Sequence, residues 1–191
     1  MTPYFEGVVT NPKQLVSEKV GDLIFHFKAG EFFQNNPFLL PELVEYVVTQ
    51  ANSNENKLLV DAYCGGGLFG LSAASRFQQV MGIEVSREGF EGARTNAQIN
   101  RIENAQFFLG DASSIFEEVK EFSESAALII DPPRRGCDPN FLHQAIAFSP
   151  TRIVYVSCEP ATQARDAQIL LDAGYRAVAA QPFDLFPQNL N

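Results

Sequence analysis

From residue 57 onward, apolar runs of strand length alternate with helix-length segments, and this alternation restricts the possible folds more than any other feature. The runs predict strands over residues 58–63, 80–85, 106–109, 127–130 and 153–156, with a sixth around 177–182. Strands that read as continuous apolar runs are buried on both faces, as in parallel sheets. The segments between them, for example 87–99 and 141–148, are helix-compatible. We therefore predict an α/β fold with a doubly wound, mostly parallel sheet.

The first 55 residues do not continue this alternation. They contain a strand-like stretch at 23–27 and then Asn36 followed by Pro37, a typical N-cap and first helical residue. A helix from Pro37 to about residue 50 would bury its apolar residues on one face. We therefore predict a short N-terminal β/α extension over 1–55, packed on a Rossmann-like domain over 56–191 to form one compact unit.

Composition limits the classes of protein to which this chain can belong. With 191 residues, 46% of them hydrophobic and 19% charged, it can form a globular core. No apolar run approaches the roughly 20 residues of a membrane helix, and no secretory h-region follows Met1. We therefore expect no membrane association. The three cysteines and two histidines lack metal-ligand spacing, so we also expect no metal site, and reduced thiols in the cytoplasm.

The charge balance bears on nucleic acid as a partner. A net charge of −9 opposes broad, nonspecific binding, which depends on neutralising phosphates. RNA is not excluded, because a local basic patch can lie on an acidic protein. Arginines at 134, 135, 152 and 165 are close in sequence to the last two predicted strand ends and are candidates for such a patch.

A glycine-rich turn follows the first strand of the predicted sheet. Gly65, Gly67 and Gly70 fit G-x-G-x-x-G, and glycines let a backbone approach a ligand closely. Glu84 ends the second strand, about 20 residues after the first glycine, where a carboxylate can accept hydrogen bonds from ribose hydroxyls. The pattern predicts an adenosine cofactor, either NAD or S-adenosylmethionine. The alternative is a tight turn with a solvated glutamate.

The last of the five runs ends at a cysteine. Cys158 follows the strand over 153–156, and Pro160 opens a helix-compatible stretch. The partial positive charge of a helix N-terminus favours thiolate over thiol, which activates a nucleophile. The segment by itself also fits a second interpretation, in which Cys158 is a small buried hydrophobic residue.

Two other strand ends carry acidic residues. Asp111 follows the third strand, where a carboxylate could bond an adenine amine. The fourth ends in Asp131-Pro132-Pro133-Arg134, and its prolines stiffen the loop beside the reacting groups. Methyl transfer to a nucleobase has a use for such a loop, whereas a nucleotide-dependent oxidoreductase, the rival interpretation, has no clear need of it.

Together these segments resemble the S-adenosylmethionine-dependent RNA (uracil-5-)-methyltransferases, which form 5-methyluridine. The resemblance runs from about residue 25 to 187 and rests on residues 32–35, 61–67, 82–84, 110–111, 131–134 and 157–166. It implies the Rossmann-like class I methyltransferase fold. It also implies S-adenosyl-L-methionine as cofactor and RNA, either tRNA or rRNA, as partner of a monomeric enzyme.

The resemblance assigns roles to individual residues. It implies that Phe32 stacks on the target uracil, that Cys158 attacks C6 of that base, and that Arg134 orients or polarises it. Methyl transfer to C5 then proceeds through a covalent cysteine–C6 adduct. The implied cofactor contacts are Gln34, Tyr63, Gly65, Gly67, Glu84, Asp111 and Asp131.

The chain departs from the family pattern in three places. Members usually carry a His-x-Glu shortly after the stretch resembling 184–188, and its glutamate is thought to remove H5 of the base; this sequence has none before Asn191. It also has no segment for the small β-barrel domain of many members, and Glu159 stands where asparagine is more common. The missing glutamate and the net charge of −9 favour an alternative expectation, a truncated or degenerate paralogue that binds cofactor or RNA without efficient turnover.

Overall fold

The computed structural model describes residues 11, 13–30, 33, 36–53, 57–120 and 125–185. The strands, in chain order, are β1 (Leu15–Val20), β2 (Leu23–Lys28), β3 (Leu58–Ala62), β4 (Gln79–Glu84), β5 (Ala105–Leu109), β6 (Ala126–Ile130) and β7 (Arg152–Tyr155). The helices are α1 (Leu40–Ala51), α2 (Leu68–Ala73), α3 (Arg87–Ile99), α4 (Ile115–Glu118), α5 (Pro139–Phe148) and α6 (Pro160–Asp172). None of the described helices is long and apolar enough to cross a membrane.

Five of the strands form one parallel sheet in the order β5–β4–β3–β6–β7. The chain first builds outward from β3 to β5 and then returns to add β6 and β7 on the other side of β3. Loops after β3 and β6 therefore leave the sheet at its switch point, where α/β proteins bind ligands. The predicted doubly wound parallel sheet is confirmed.

Both faces of the sheet are buried, as the continuous apolar runs predict. Leu59 and Ile129 point to one face, which α1, α2 and α3 cover. Val60 and Leu128 point to the other, where they pack with residues of α4, α5 and α6. Because neighbouring residues of one strand point to opposite faces, a strand between two helical layers has no polar side.

The sixth predicted sheet strand is wrong. Residues 175–184 have no regular secondary structure, and most are exposed, including Val178 at 75%. This stretch lacks the large apolar side chains that bury β3 and β6, and Pro182 could not donate to a strand ladder.

Helix α1 begins later than predicted. Asn36 does cap a turn, since its Oδ1 accepts hydrogen bonds from the N–H groups of Phe38 and Leu39, both at 3.1 Å. The regular helix starts only at Leu40, three residues beyond Pro37. Pro41 lies in its first turn, where a missing N–H costs nothing.

An antiparallel hairpin of β1 and β2 lies outside the main sheet. The sequence pattern indicated β2 but not β1, whose residues alternate between exposed and half-buried up to Val20, which is buried. Phe25 of β2 is fully buried, and Phe27 stacks on Phe33 with ring centroids 4.2 Å apart. The hairpin therefore joins the core through the aromatic residues of β2.

Candidate active site at the carboxyl edge of the sheet

The glycine loop after β3 turns tightly, with three residues in the left-handed region. Tyr63, Gly65 and Gly67 have φ values of 62°, 52° and 84°. Gly70, in α2, is required for a different reason: a Cβ there would lie 2.8 Å from Oδ2 of Asp61. At Gly65 nothing lies within 4 Å of where a Cβ would be, so its backbone is open to close approach, whereas at Gly67 a Cβ would lie 3.0 Å from Leu71 Cδ1.

Glu84, at the end of β4, lies directly beside this loop. Its Oε2 accepts the N–H of Gly65 at 2.8 Å, and its Oε1 accepts the N–H of Ser86 at 2.8 Å. Gly89 of α3 leaves room for it, since a Cβ there would be 2.9 Å from Glu84 Cγ. The two hydrogen bonds orient the carboxylate, and each oxygen keeps acceptor capacity for a ligand.

Two further carboxyl groups lie at the ends of β3 and β6. Asp61 is fully buried, and burial raises its pKa to about 7, with smaller contributions from the negative charges of Asp131 and Glu84. Burial likewise raises the pKa of Asp131 to about 7. Asp61 Oδ2 accepts the N–H of Gly70 at 2.7 Å, but Oδ1 has no hydrogen-bond partner among the described residues. A cationic ligand would relieve this concentration of negative charge.

Asp111 lies at the same edge of the sheet, since the N–H of Gly110 donates to the carbonyl of Glu84 at 2.9 Å. Its side chain is exposed, and Oδ1 accepts both the N–H and the Oγ–H of Ser113, at 2.9 and 2.6 Å. These hydrogen bonds lower the pKa of Asp111. The structure therefore places the carboxylate near the loop that Glu84 borders, with most of its acceptor capacity open to solvent.

Tyr63 is fixed by contacts to α5 and the loop before it. Its ring packs edge-on against Phe141, with centroids 5.3 Å apart. Burial raises the pKa of its hydroxyl group, which also takes part in hydrogen bonds with Cys137 and the backbone of Asp138. The side chain predicted to contact a cofactor thus also links the glycine loop to the loop after β6.

Cys158 is exposed and stands between β7 and α6, as predicted. Glu159 is the N-cap residue of α6, and its side chain pairs with Arg134, Oε2 to Nη2 at 3.3 Å, instead of bonding to the first turn of the helix. Thr162 Oγ1 donates to the carbonyl of Arg134 at 2.9 Å. The Asp-Pro-Pro-Arg loop therefore lies against the start of α6, two residues after Cys158, and 79% of the Arg134 side chain remains exposed.

The other two thiols are buried. Burial raises the pKa of Cys64 well above its ordinary value and that of Cys137 to about 12. The interpretation as a small buried hydrophobic residue applies to these two cysteines and not to Cys158.

Asp166 holds this half of the site together, a role that sequence reasoning missed. It is 1% exposed, and its Oδ2 accepts the N–H of Cys137 and the hydroxyl of Tyr155, both at 2.7 Å. Its Oδ1 accepts Nε and Nη2 of Arg165 at 2.8 and 2.7 Å. The network ties α6 both to the end of β7 and to the loop after β6. The sequence did contain an indication of this role, because Asp166 shares the buried face of α6 with Leu170, and a buried carboxylate needs hydrogen-bond donors.

The four arginines do not form one patch. Arg165 is engaged with Asp166 and also donates to the carbonyl of Arg135 at 3.0 Å. Arg152 opens β7, at the opposite edge of the sheet, and donates to the carbonyl of Gln50 at 3.1 Å. Arg152 lies at the amino end of β7, whereas Cys158 follows its carboxyl end, so the length of the strand separates them.

Two predicted site residues, Phe32 and Gln34, lie outside the described residues. Their neighbour Phe33 is anchored on Phe27. Within the described ranges, no three His, Cys, Asp or Glu side chains form a group suited to a metal ion.

A family sequence profile matches almost the whole chain. The profile, that of the tRNA (uracil-5-)-methyltransferases, covers residues 11–190. The tRNA (uracil(54)-C(5))-methyltransferases of Saccharomyces cerevisiae and Schizosaccharomyces pombe are 41% and 42% identical to this chain. The aligned regions take in 94% and 95% of this chain but 30% and 37% of those proteins. The chain thus spans about a third of the length of these curated relatives.

Solved structures agree with the fold. The tRNA (uracil-54, C5)-methyltransferase of Pyrococcus abyssi, in complex with S-adenosyl-L-homocysteine, matches 82% of this chain with a TM-score of 0.69 and 32% identity. This chain covers 38% of that protein. M. jannaschii TYW2, in complex with AdoMet, aligns over 87% of this chain and 74% of the TYW2 chain, with a TM-score of 0.60. Its sequence identity is 17%, so the likeness is one of fold alone. These neighbours confirm the predicted Rossmann-like methyltransferase fold.

Proposed function

The chain belongs to the tRNA (uracil-5-)-methyltransferase family, and from that premise we propose that it methylates C5 of a uridine in tRNA, using S-adenosylmethionine. One observation carries the proposal. The glycine loop beside Glu84 lies at the carboxyl edge of the sheet. The exposed Cys158, just before the N-terminus of α6, lies at the same edge. The names of the yeast and Pyrococcus abyssi relatives point to uridine 54 as the target.

The strand ends fit S-adenosylmethionine. The cofactor carries two positive charges, an ammonium and a sulfonium, and the site offers the carboxyl groups of Asp61, Glu84 and Asp131. Gly65 and Gly67 provide backbone without side chains, and Glu84 keeps acceptor capacity for ribose hydroxyls. We propose Tyr63, Asp111 and Gln34 as further contacts. When bound, the cofactor supplies an electrophilic methyl group on sulfur.

Cys158 supplies the nucleophile in the proposed mechanism. C5 of uracil is a weak nucleophile until the Cys158 thiolate adds to C6 and the electron pair of the C5–C6 bond moves into a C4–C5 enolate. C5 would then form its bond to the methyl group as the methyl–sulfur bond breaks, and the electron pair of that bond would leave with S-adenosylhomocysteine. A base next takes H5 as a proton, and the electron pair of that C–H bond restores C5=C6 and releases the thiolate. Covalent catalysis thus divides one difficult step into easier ones.

Arg134 and Phe32 hold the base in this proposal. The Arg134 guanidinium is exposed beside the helix of Cys158, where it can donate hydrogen bonds to a uracil carbonyl and stabilise the enolate. Phe32 would stack on the ring. A uridine must leave its base stack to expose C6, so we propose that the substrate nucleotide is unpaired or flipped when it binds.

Transfer of a labelled methyl group to a tRNA transcript tests the function. We expect label at uridine 54 after nuclease digestion, and none in a matched transcript that has cytidine there. Label at another position, or equal label in the two transcripts, would contradict the assigned target.

A further inference from the structure

Asn96 is a buried amide whose partners come from two separate parts of the chain. It lies in α3 and is 1% exposed. Its Oδ1 accepts the N–H of His26 at 2.8 Å, and its Nδ2 donates to the carbonyl of His26 at 3.2 Å. The same Nδ2 donates to the carbonyl of Gly66, in the glycine loop, at 3.0 Å. One side chain therefore bonds both the N-terminal hairpin and the loop proposed to hold the cofactor.

Asn100, one turn later, makes the corresponding two contacts to the hairpin, and its Nδ2 also donates to the carbonyl of Asn96 at 2.8 Å. Its Oδ1 accepts the N–H of Ile24 at 2.9 Å, and its Nδ2 donates to the carbonyl of Ile24 at 2.7 Å. Residues four apart on a helix and two apart on a strand are both separated by about 6–7 Å. The two side-chain amides therefore have the same spacing as the backbone groups of Ile24 and His26 to which they bond. Asn96 and Asn100 thus hold the hairpin in the same way, but only Asn96 of the pair also bonds Gly66.

Gly66 is well placed to transmit this contact. It lies between Gly65, whose N–H donates to Glu84, and Gly67, where the loop takes its positive φ before α2. A shift in the position of the Gly66 carbonyl would therefore move the neighbouring Gly65 backbone, whose N–H donates to the Glu84 carboxylate. Through Asn96, that backbone is fixed to β2.

The hairpin in turn leads to residues proposed to touch ligand. Phe33 stacks on Phe27 of β2, with ring planes 6° apart. Phe32 and Gln34, proposed for uracil and for cofactor, flank Phe33 in sequence.

We propose that Asn96 is a positioning residue that couples the cofactor loop to the β1–β2 hairpin. The inference rests on the proposed function, since the ligand is S-adenosylmethionine or its demethylated product. Coupling between two sites is reciprocal. Occupancy of the loop therefore stabilises β2, and loss of the Asn96 contact weakens cofactor binding.

Calorimetry with S-adenosylhomocysteine on the whole chain tests the proposal, with Asn100→Ala as matched control for Asn96→Ala. Both changes remove two hydrogen bonds to the hairpin, but only Asn96→Ala removes the bond to Gly66. From the net value of one neutral hydrogen bond, we expect about three- to tenfold weaker binding for Asn96→Ala. For Asn100→Ala we expect a change of less than about twofold.

Amide hydrogen exchange of the wild-type chain gives a second test that needs no variant. We expect S-adenosylhomocysteine to slow exchange at the His26 amide as well as in the glycine loop. Equal affinities for the two alanine variants, or protection of the loop without protection of His26, would overturn the coupling while leaving the proposed function intact. If the wild-type chain failed to bind S-adenosylhomocysteine, the proposed function and the inference would both fail.

Discussion

At the scale of single residues, two buried carboxyl groups in this site have opposite surroundings. Asp166 accepts four hydrogen bonds and pairs with a guanidinium, so its charge is satisfied within the chain. Asp61 accepts one hydrogen bond and leaves Oδ1 without a partner among the described residues. A buried acceptor without a partner costs free energy unless a ligand or water supplies one. We therefore assign Asp166 to the framework of the site.

We propose that Glu84 is the residue on which cofactor affinity depends most directly. Glu84→Ala should weaken S-adenosylhomocysteine binding by about 1.5–3 kcal/mol, because it removes charge-assisted acceptors from the ribose site. Glu84→Gln is the control, since it keeps the size of the side chain and one carbonyl acceptor, and should lose less affinity. Isothermal calorimetry measures both. Unchanged binding by Glu84→Ala, or tighter binding of NAD than of the sulfonium cofactor by the wild-type chain, would be incompatible with the assignment.

At the scale of secondary-structure elements, the parallel arrangement of β3, β4 and β6 gathers Asp61, Glu84 and Asp131 at one edge of the sheet. Burial raises the pKa of Asp61 from an ordinary value of 3.8 to about 7. Between those pH values the folded state binds more protons than the unfolded state. The free energy of unfolding should therefore fall as pH rises through this range.

Asp61→Asn removes one of these groups and should flatten that pH dependence. We expect the slope of unfolding free energy between pH 5 and 7 to change by up to about 1.4 kcal/mol per pH unit. Urea denaturation at several pH values measures it. Asp111→Asn is the control, because hydrogen bonds from Ser113 lower the pKa of Asp111 and place its titration below this range. The same slope in wild type and Asp61→Asn would show that Asp61 does not hold its proton in the folded chain.

The loop after β6 depends on a glycine that faces the Asp166 network. Gly136 has φ +78°, and a Cβ there would lie 2.5 Å from both Arg165 Nη2 and Asp166 Oδ2. Gly174 has φ +97° with nothing within 4 Å, so Gly174→Ala carries only the backbone strain. We expect Gly136→Ala to lower the free energy of unfolding by about 1–3 kcal/mol more than Gly174→Ala.

Urea denaturation of these two variants measures the difference. Equal losses of stability would mean that the loop and α6 are not held together as the Asp166 network requires.

The strand ends of this site could be predicted from sequence because each apolar run stops abruptly at a polar residue. Glu84 and Cys158 lie where those boundaries put them. The contacts that fix the loops could not be predicted in the same way. Asn96 reaches Gly66 across 30 residues, and Cys137 reaches Asp166 across 29, so both pairs depend on packing that no local pattern records.

The same limit explains the errors at the two ends of the chain. β1 reads Leu-Val-Ser-Glu-Lys-Val and buries only Val20, so its pattern resembles that of a loop. Residues 177–182 have an apolar composition, but their small side chains and Pro182 favour irregular structure. Periodicity identifies elements that bury a face and is weak for those that do not.

At the scale of the whole molecule, the sheet, the hairpin and the loops bring a cofactor site and a thiol to one edge of an acidic protein. The net charge of −9 gives no general attraction to RNA, so the proposed binding of tRNA would have to use local surfaces such as that around the exposed Arg134. The proposed function depends above all on one chemical step, in which Cys158 forms a bond to the target base.

Trapping that bond is the most direct test. In a tRNA transcript made with 5-fluorouridine, the fluorine at C5 cannot leave as a proton does, so the adduct persists after methyl transfer. We expect a complex that survives denaturing gels, requires S-adenosylmethionine, maps by peptide sequencing to Cys158, and is absent from Cys158→Ser but retained by Cys64→Ala. A complex attached through Cys64 or Cys137, or one that persists in Cys158→Ser, would contradict the account.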